Sequence, residues 1–386
     1  MSSKVFPCPA AKKCGGCQLT NLSYEEQLSF KQGRAVKLLG KFGKVERILT
    51  TGEPFFYRNK VQAAFGRTRS GEIISGVYQS STHNIVKVDK CYIEDERADA
   101  IIVTIRKMLK EFKLTVYNEN NGTGFLRHVL VKTARGTGEV MVALVTGSRE
   151  FKSKKAFCDA LLNRHPEITT IIQNINNKFT SLVLGEEQYV LYGEGYITDI
   201  LMGKRFIISP RSFYQINPAA TVLLYETALK YADIRSTDTV IDAYAGVGTI
   251  GIICSDNAKK VISVELNPDA VKDARKNAKI NGIKNMTFVC ADATEFLFEM
   301  AKEGEKADVV VMDPPRAGST VKFMKGVCAM KPQRVVYVSC NPETLARDLD
   351  FFVKNGYKVK KIQPVDMFPN TSHVETVVLM SRVDGK

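Results

Sequence analysis

The rhythm of apolar and polar positions changes part-way along this chain. From about Lys204 onward, short apolar runs alternate with helical stretches, the pattern of a parallel sheet built from βαβ units. The runs predict strands over 239–243, 261–265, 286–289, 308–312, 334–338, 357–364 and 374–381. Seven strands with the last two adjacent in sequence fit a Rossmann-like α/β fold ending in an antiparallel hairpin. Between Phe55 and Gly203 β-like runs separated by glycines dominate, such as Glu139-Val140-Met141-Val142-Ala143-Leu144-Val145, with amphipathic helices predicted near 98–112 and 152–162. This front half reads as an α+β module. The first 50 residues read as a cysteine-bearing arm and then a helix whose apolar positions are Leu28, Phe30, Val36 and Leu38. The predicted division is 1–203 and 204–386.

Composition narrows the class. A chain of 386 residues is longer than one compact core usually holds, and 44% apolar residues are ample for folding. No apolar run approaches the ~18 residues of a membrane helix, and the first residues lack the apolar core of a signal peptide. A cytoplasmic enzyme with no membrane partner and no obligate protein partner is the expectation. Nine cysteines in a reducing compartment serve as metal ligands, nucleophiles or small core residues.

Charge adds a partner. The net charge is +14, and residues 1–150 carry 24 Lys/Arg against 14 Asp/Glu, whereas 151–386 carry 31 against 27. Positive charge confined to the front, beside Tyr57-Arg58-Asn59-Lys60, points to a polyanion, nucleic acid above all. Arg58, Asn59, Lys60, Arg127 and His128 are the expected RNA contacts.

Two predicted strands end in groups that do chemistry, Asp313-Pro314-Pro315-Arg316 and Cys340 within Ser339-Cys340-Asn341-Pro342, and a third opens on Glu375 within His373-Val374-Glu375-Thr376. Strand ends are where open α/β sheets bind ligands. A second group lies at 240–249, where a strand runs through Gly246 and Gly248 into a helix, and Glu265 follows 23 residues after Asp242. A carboxylate there accepts both ribose hydroxyls of a nucleoside. Gly251 completes a Gly-x-Gly-x-x-Gly pattern, so spacing alone leaves a dinucleotide and S-adenosylmethionine close to even. The Asp-Pro-Pro-Arg and Ser-Cys-Asn-Pro blocks have no role in hydride transfer and favour the methyl donor. Asp292, ending the third strand, is placed to reach an adenine amino group. A thiolate at Cys340 makes sense if the acceptor is C5 of uracil, because sulfur addition at C6 makes C5 nucleophilic and a base such as Glu375 then removes the C5 proton.

These blocks, with Ser212-Phe213-Tyr214-Gln215-Ile216-Asn217, resemble the signature blocks of the RNA uracil-5-methyltransferases over nearly the whole chain. The resemblance implies a C-terminal class I methyltransferase domain behind an N-terminal RNA-binding module. It implies Cys340 as nucleophile and Glu375 as proton acceptor, with Gln215, Tyr244, Glu265 and Asp313 contacting S-adenosylmethionine, Asp292 nearby, and Asp313 also placed to hold the uracil edge. Cytosine-5 RNA methyltransferases typically carry a further cysteine just after the proline of this block, and here none follows Pro315 until Cys328. A non-catalytic RNA-binding protein and a cluster-bearing redox protein are the readings from other classes. The complete Cys340, Glu375 and Asp313 set argues against the first, and no second redox motif supports the other.

Cys8, Cys14, Cys17 and the distant Cys91 supply four thiols, enough for tetrahedral zinc or an iron-sulfur cluster; spacing leaves these even. The resemblance implies a 4Fe-4S cluster. His83 reads as a surface residue, and Cys158, Cys254, Cys290 and Cys328 as packing residues. Many members begin with a small basic β-barrel, whereas this sequence opens on the cysteine arm. A cluster-bearing chain of this kind resembles the bacterial enzymes acting on 23S ribosomal RNA, with the transfer-RNA T-loop enzymes second.

Overall fold

The computed structural model describes residues 8–80, 82 and 84–383. His83 lies outside the described residues. After a short helix α1 (Ala11–Cys14) and a longer α2 (Tyr24–Leu39), the front sheet is built from β1 (Lys60–Arg67), β2 (Ile73–Tyr78), β3 (Ile85–Lys87), β4 (Leu126–Thr133), β5 (Val140–Thr146), β6 (Ile168–Ile175) and β7 (Glu187–Tyr192). Its strand order is β3-β2-β1-β4-β5-β6-β7, antiparallel except between β5 and β6. That parallel step needs a crossover, which α4 (Lys154–Arg164) supplies, while α3 (Glu96–Glu111) joins β3 to β4.

A hairpin of β8 (Ile197–Leu201) and β9 (Lys204–Ile208) and helix α5 (Pro218–Ala232) lead into the second sheet. There β10 (Thr239–Ala243), α6 (Thr249–Cys254), β11 (Lys260–Glu265), α7 (Pro268–Ile280), β12 (Met286–Cys290), α8 (Ala293–Lys302), β13 (Val309–Met312), α9 (Val321–Met330), β14 (Arg334–Ser339), α10 (Pro342–Lys354), β15 (Tyr357–Val365) and β16 (Glu375–Arg382) follow in sequence. The order β12-β11-β10-β13-β14-β16-β15 is a seven-stranded sheet, six strands running one way and β16 inserted antiparallel between β14 and β15. This is the α/β architecture expected, with every predicted strand present. Among the described residues no helix is long and apolar enough to cross a membrane.

The two sheets share a core. Val129, Val131, Val142 and Leu144 face Ile101, Ile105, Met108 and Phe157 on α3 and α4, whereas Leu130, Met141 and Ala143 point the other way, into one cluster with Leu224, Val240 and Ile250. With both faces covered, β4 and β5 are buried along their whole length. That corrects part of the expected RNA surface. Arg127 is 4% exposed and bonded to Glu119 (2.7 Å), His128 is 6% exposed, and Asn59 is also buried. Desolvation pushes the His128 ring down to about 4, so it is neutral. Of the five, Arg58 and Lys60 are partly exposed.

The N-terminal helix also departs from its pattern. Phe30 and Val36 are exposed, and the buried stripe of α2 is Gln27, Lys31, Ala35 and Leu39 at four-residue spacing. The stripe is half polar because it is held by specific bonds. Lys31 Nζ, fully buried, donates to Asp366 Oδ1 (2.5 Å) and Phe368 O (2.9 Å), and Gln27 exchanges bonds with Asn370. The chain beyond α2 runs along β15, bridging Val45 to Ile362 and Leu49 to Val365. Residues 24–49 therefore pack on the second sheet although they precede the first.

Candidate active site

The order of the second sheet reverses between β10 and β13, and at the carboxyl ends of these strands opens a cleft of about 780 Å³. All seven residues expected to bind cofactor or react line it: Gln215, Tyr244, Glu265, Asp292, Asp313, Cys340 and Glu375. Register explains their meeting. Ala243 pairs with Met312, so Tyr244 and Asp313 leave adjacent strands at one level. Ser339 pairs with Thr376 at the end of the β14–β16 ladder, so the next step brings Cys340 opposite Glu375.

The turn after β10 is tightly shaped. Tyr244, Gly246 and Gly248 all have positive φ (64°, 55° and 79°), and α6 starts at Thr249. A Cβ on Gly251 would lie 2.5 Å from Ser263 Oγ and 2.6 Å from Asp242 Oδ2. The third glycine is thus a helix–strand contact, with its amide donating to Asp242 (3.0 Å). Burial pushes that carboxyl up to about 7. Glu265 accepts from Gly246 N (2.9 Å) and Asn267 N (2.8 Å), one bond to each oxygen, which leaves each with further acceptor capacity. Asp292 caps α8 through Thr294 N (2.7 Å). Six carboxylates, Glu265, Asp269, Asp273, Asp292, Asp313 and Glu375, face two arginines, Arg211 and Arg316, around the cleft. Such a lining repels a pyrophosphate and suits a sulfonium, so the residues present fit S-adenosylmethionine and settle the question that glycine spacing left even.

At the reacting end three groups press on one another. Desolvation is the main force lifting Asp313, to about 7, with the Asp242 carboxylate adding to it, and Glu375, well above the carboxylate range, with Asp313 adding to it. Cys340 stands just before the N-terminus of α10, which favours a thiolate, yet burial and then Glu375 and Asp313 push its thiol up to about 11. Arg316 is the opposing positive charge, and its Nη1 lies 3.5 Å from His373 Nε2.

Sequence reasoning missed several residues here. Tyr225, buried on α5, hydrogen-bonds Gln215 and lies in the field of Asp313 and Glu375; nothing in an apolar helical stripe marks it. Phe213 is 65% exposed at the cleft wall and Phe368 lines it, aromatic surfaces for a planar base. Lys132 of β4, 5% exposed, donates to Ser209 O and Ser212 O (both 2.8 Å), tying the front sheet to the segment that carries Gln215. Asn59 joins it, donating to Gln215 O (3.1 Å) and, through its amide, to Ile216 O (2.9 Å).

Of the front cysteines, Cys17 and Cys91 lie near Tyr57, and Cys17 also near Arg58. Cys17, pushed up to about 11 by burial, lies within electrostatic reach of Cys14 and Cys8, and Tyr57 within reach of both Cys17 and Cys91. Among the described residues no three His, Cys, Asp or Glu side chains close to metal-holding geometry. Of the other cysteines, Cys158 and Cys254 are buried and Cys328 half-buried, whereas Cys290 is exposed, because β12 is the edge strand of its sheet.

Known proteins resemble this chain over nearly its whole length. Residues 23–383 match the family model described as tRNA (Uracil-5-)-methyltransferase. An uncharacterised RNA methyltransferase from Clostridium acetobutylicum is 44% identical over 384 residues, 98% of this chain and 83% of the relative. One from Halalkalibacterium halodurans is 42% identical over 379 residues, 97% of this chain and 82% of the relative. The crystal structure of Pyrococcus abyssi tRNA (uracil-54, C5)-methyltransferase in complex with S-adenosyl-L-homocysteine superposes with a TM-score of 0.77 at 29% identity, covering 95% of this chain and 85% of that one.

Proposed function

Because the chain belongs to the tRNA (uracil-5-)-methyltransferase family, S-adenosylmethionine-dependent enzymes that modify RNA, we propose that it methylates C5 of one uridine in 23S ribosomal RNA through a covalent cysteine adduct. The observation that carries the chemistry is the placement of Cys340 opposite Glu375, with Asp313 and Arg316 beside them at the sheet's carboxyl edge.

Cys340 Sγ, as the thiolate, adds to C6 of the uracil and turns C5 into an enolate carbon. S-adenosylmethionine, when bound, supplies the electrophilic methyl group that C5 takes up. Glu375, as carboxylate, removes the C5 proton; the C6–S bond then breaks and the thiolate is regained. Glu265 holds the ribose of the cofactor, Asp292 lies toward its adenine, and Gln215, Tyr244 and Asp313 close the site. Asp313, whose raised pKa leaves it partly protonated near neutrality, offers both a donor and an acceptor to the uracil edge. Phe213 and Phe368 give the unstacked base a surface, offsetting the few kcal/mol that extrusion costs.

The front module, residues 1–203, is the RNA-binding part of this reading, and Cys8, Cys14, Cys17 and Cys91 hold a 4Fe-4S cluster. A sulfur-only donor set supports the cluster, as does Cys17 standing within electrostatic reach of Cys14 and Cys8. The arm also touches the loop before Glu375: Leu19 N donates to Asn370 O (3.0 Å) and Ser372 N to Gln18 Oε1 (3.2 Å). A structural clamp is therefore the cluster's role. Anaerobic reconstitution of the protein gives about four iron atoms per chain and Cys14→Ser loses them; the folded variant keeps cofactor affinity and loses RNA affinity. Unchanged RNA affinity in that variant contradicts the clamp.

Ribosomal RNA is preferred because the cysteine arm resembles that branch of the family. Transfer RNA is the second reading, favoured by the substrate named for the Pyrococcus abyssi enzyme. Incubation with methyl-labelled S-adenosylmethionine and unmodified 23S ribosomal RNA or transfer RNA, followed by nucleoside analysis, decides between them. Label in 5-methyluridine from 23S RNA, absent with Cys340→Ala, is expected. Label only in transfer RNA transfers the proposal to the T loop, and 5-methylcytidine overturns it.

A further inference from the structure

Away from the catalytic cleft, a second cleft of about 990 Å³ opens where the β1–β2 hairpin meets the last turn of α3. Its charges are Arg67, Arg106, Lys107, Lys110 and Lys113 against Glu72 and Glu111. The two acids are already neutralised, Glu72 by Lys87 (2.8 Å) and Glu111 by Arg164 (2.8 Å), and Arg106 is paired with Asp89 (2.5 Å). Arg67, Lys107, Lys110 and Lys113 are all exposed and form no ion pair among the described residues. Lys107 and Lys110 lie one turn apart at the end of α3 and Lys113 follows two residues beyond it, so like charges crowd one side of the cleft. A polyanion relieves it.

The elements also fix how far this patch stands from the chemistry. β1 starts at Lys60, next to Asn59 and its bond to Gln215 at the catalytic cleft, and ends at Arg67; seven steps of ~3.3 Å make about 23 Å. α3 starts beside Arg58, whose carbonyl accepts from Asp95 N (3.1 Å), and its 16 residues at 1.5 Å per residue also end about 23 Å away. That is on the order of seven base-pair steps at ~3.4 Å each. A uridine flipped into the catalytic cleft therefore leaves the stem beside it within reach of the basic cleft.

We propose that this cleft is a second RNA site that holds the phosphate backbone of the stem flanking the target uridine, through Arg67, Lys107, Lys110 and Lys113. The inference rests on the RNA methylation reading and adds to it. The contacts are to phosphates, so they add affinity without sequence preference. They also give the enzyme reason to prefer a loop closed by a stem over an isolated single strand.

The test is a triple variant, Lys107→Gln, Lys110→Gln and Lys113→Gln, compared with the unaltered protein on two probes. One is an unmodified transfer-RNA or 23S ribosomal-RNA transcript with its stems; the other is the isolated loop oligonucleotide. On the long transcript the variant's KM rises about tenfold at low salt, and the slope of log affinity against log salt becomes shallower by about 2 to 3. On the oligonucleotide nothing changes, and the thermal midpoint stays within about 2 °C. Unchanged affinity and salt slope on the long transcript, in a variant with an unchanged melt, overturn the second site. If the unaltered protein makes no 5-methyluridine on either transcript yet the variant loses salt-dependent binding, the second site stands and the catalytic reading fails.

Discussion

At the scale of single residues burial biases the candidate active centre toward its protonated forms. Cys340, Asp313 and Glu375 all sit above their ordinary values, chiefly through burial, whereas the reaction needs a thiolate and a carboxylate. Both reactive forms are unprotonated, so the rate falls as pH falls. Arg316 is the positive group that moves Cys340 toward thiolate, and Arg316→Gln shifts the pH profile of iodoacetamide alkylation at Cys340 to higher pH; an unmoved profile contradicts that role. The same carboxyls cost stability. Asp313 folded keeps a proton up to about pH 7 that the unfolded chain loses near 3.8, so its contribution to stability declines as pH rises through that window. Asp313→Asn is thus inactive yet gains on the order of 1 kcal/mol in urea unfolding at pH 8, a gain that vanishes below about pH 4. Lys132, which burial pushes down to about 7, acts at one remove from the chemistry by fixing the Ser209–Gln215 segment. Lys132→Met weakens cofactor binding by about tenfold in calorimetry, the loss of one or two charge-assisted bonds. Binding equal to the unaltered protein rules this tie out.

At the scale of elements the most consequential contact joins the start of the chain to its end. Lys31 of α2 meets Asp366, which also accepts from Tyr24 (2.8 Å), in the segment that leads through Phe368 to Glu375. Removing one partner strands a buried charge, so Asp366→Ala costs about 3–5 kcal/mol in urea unfolding. The double variant Lys31→Met, Asp366→Leu recovers most of that loss, and a double variant as unstable as the single contradicts the pairing. This contact also shows what the sequence hides. Apolar rhythm made the strands of the second sheet legible, because the inner ones, β10, β11, β13 and β14, are buried along nearly their whole length. The same rhythm misread α2, whose buried face is defined by a lysine and a glutamine with partners some 340 positions away. Arg127 and His128 misled for a related reason: a polar residue in β4 reads as exposed until the second covering layer is known. Cys340, Glu265 and Asp313 were legible because each closes an apolar run at a strand end, and Glu375 because it opens one. Tyr225 and Lys132 carried no such punctuation.

At the scale of the whole molecule the chemistry lies where the two sheets meet. The second sheet supplies the cofactor turn, the thiol and the carboxylates; the front sheet reaches across with Asn59 and Lys132 to hold the segment bearing Phe213 and Gln215. Under the proposed function, RNA bound by the front module meets the thiol beside the same segment that these ties hold. The central claim is that Cys340 bonds covalently to the uracil that receives the methyl group, and a trapped adduct tests it most directly. In RNA carrying 5-fluorouridine, Cys340 adds and C5 accepts the methyl group, but Glu375 finds fluorine where the proton should be, so the thiolate is not released. Mass spectrometry of the protein after incubation with such RNA and S-adenosylmethionine is predicted to show the RNA bonded through the Cys340 peptide. No bonded species under conditions where the unfluorinated RNA is methylated would contradict the account.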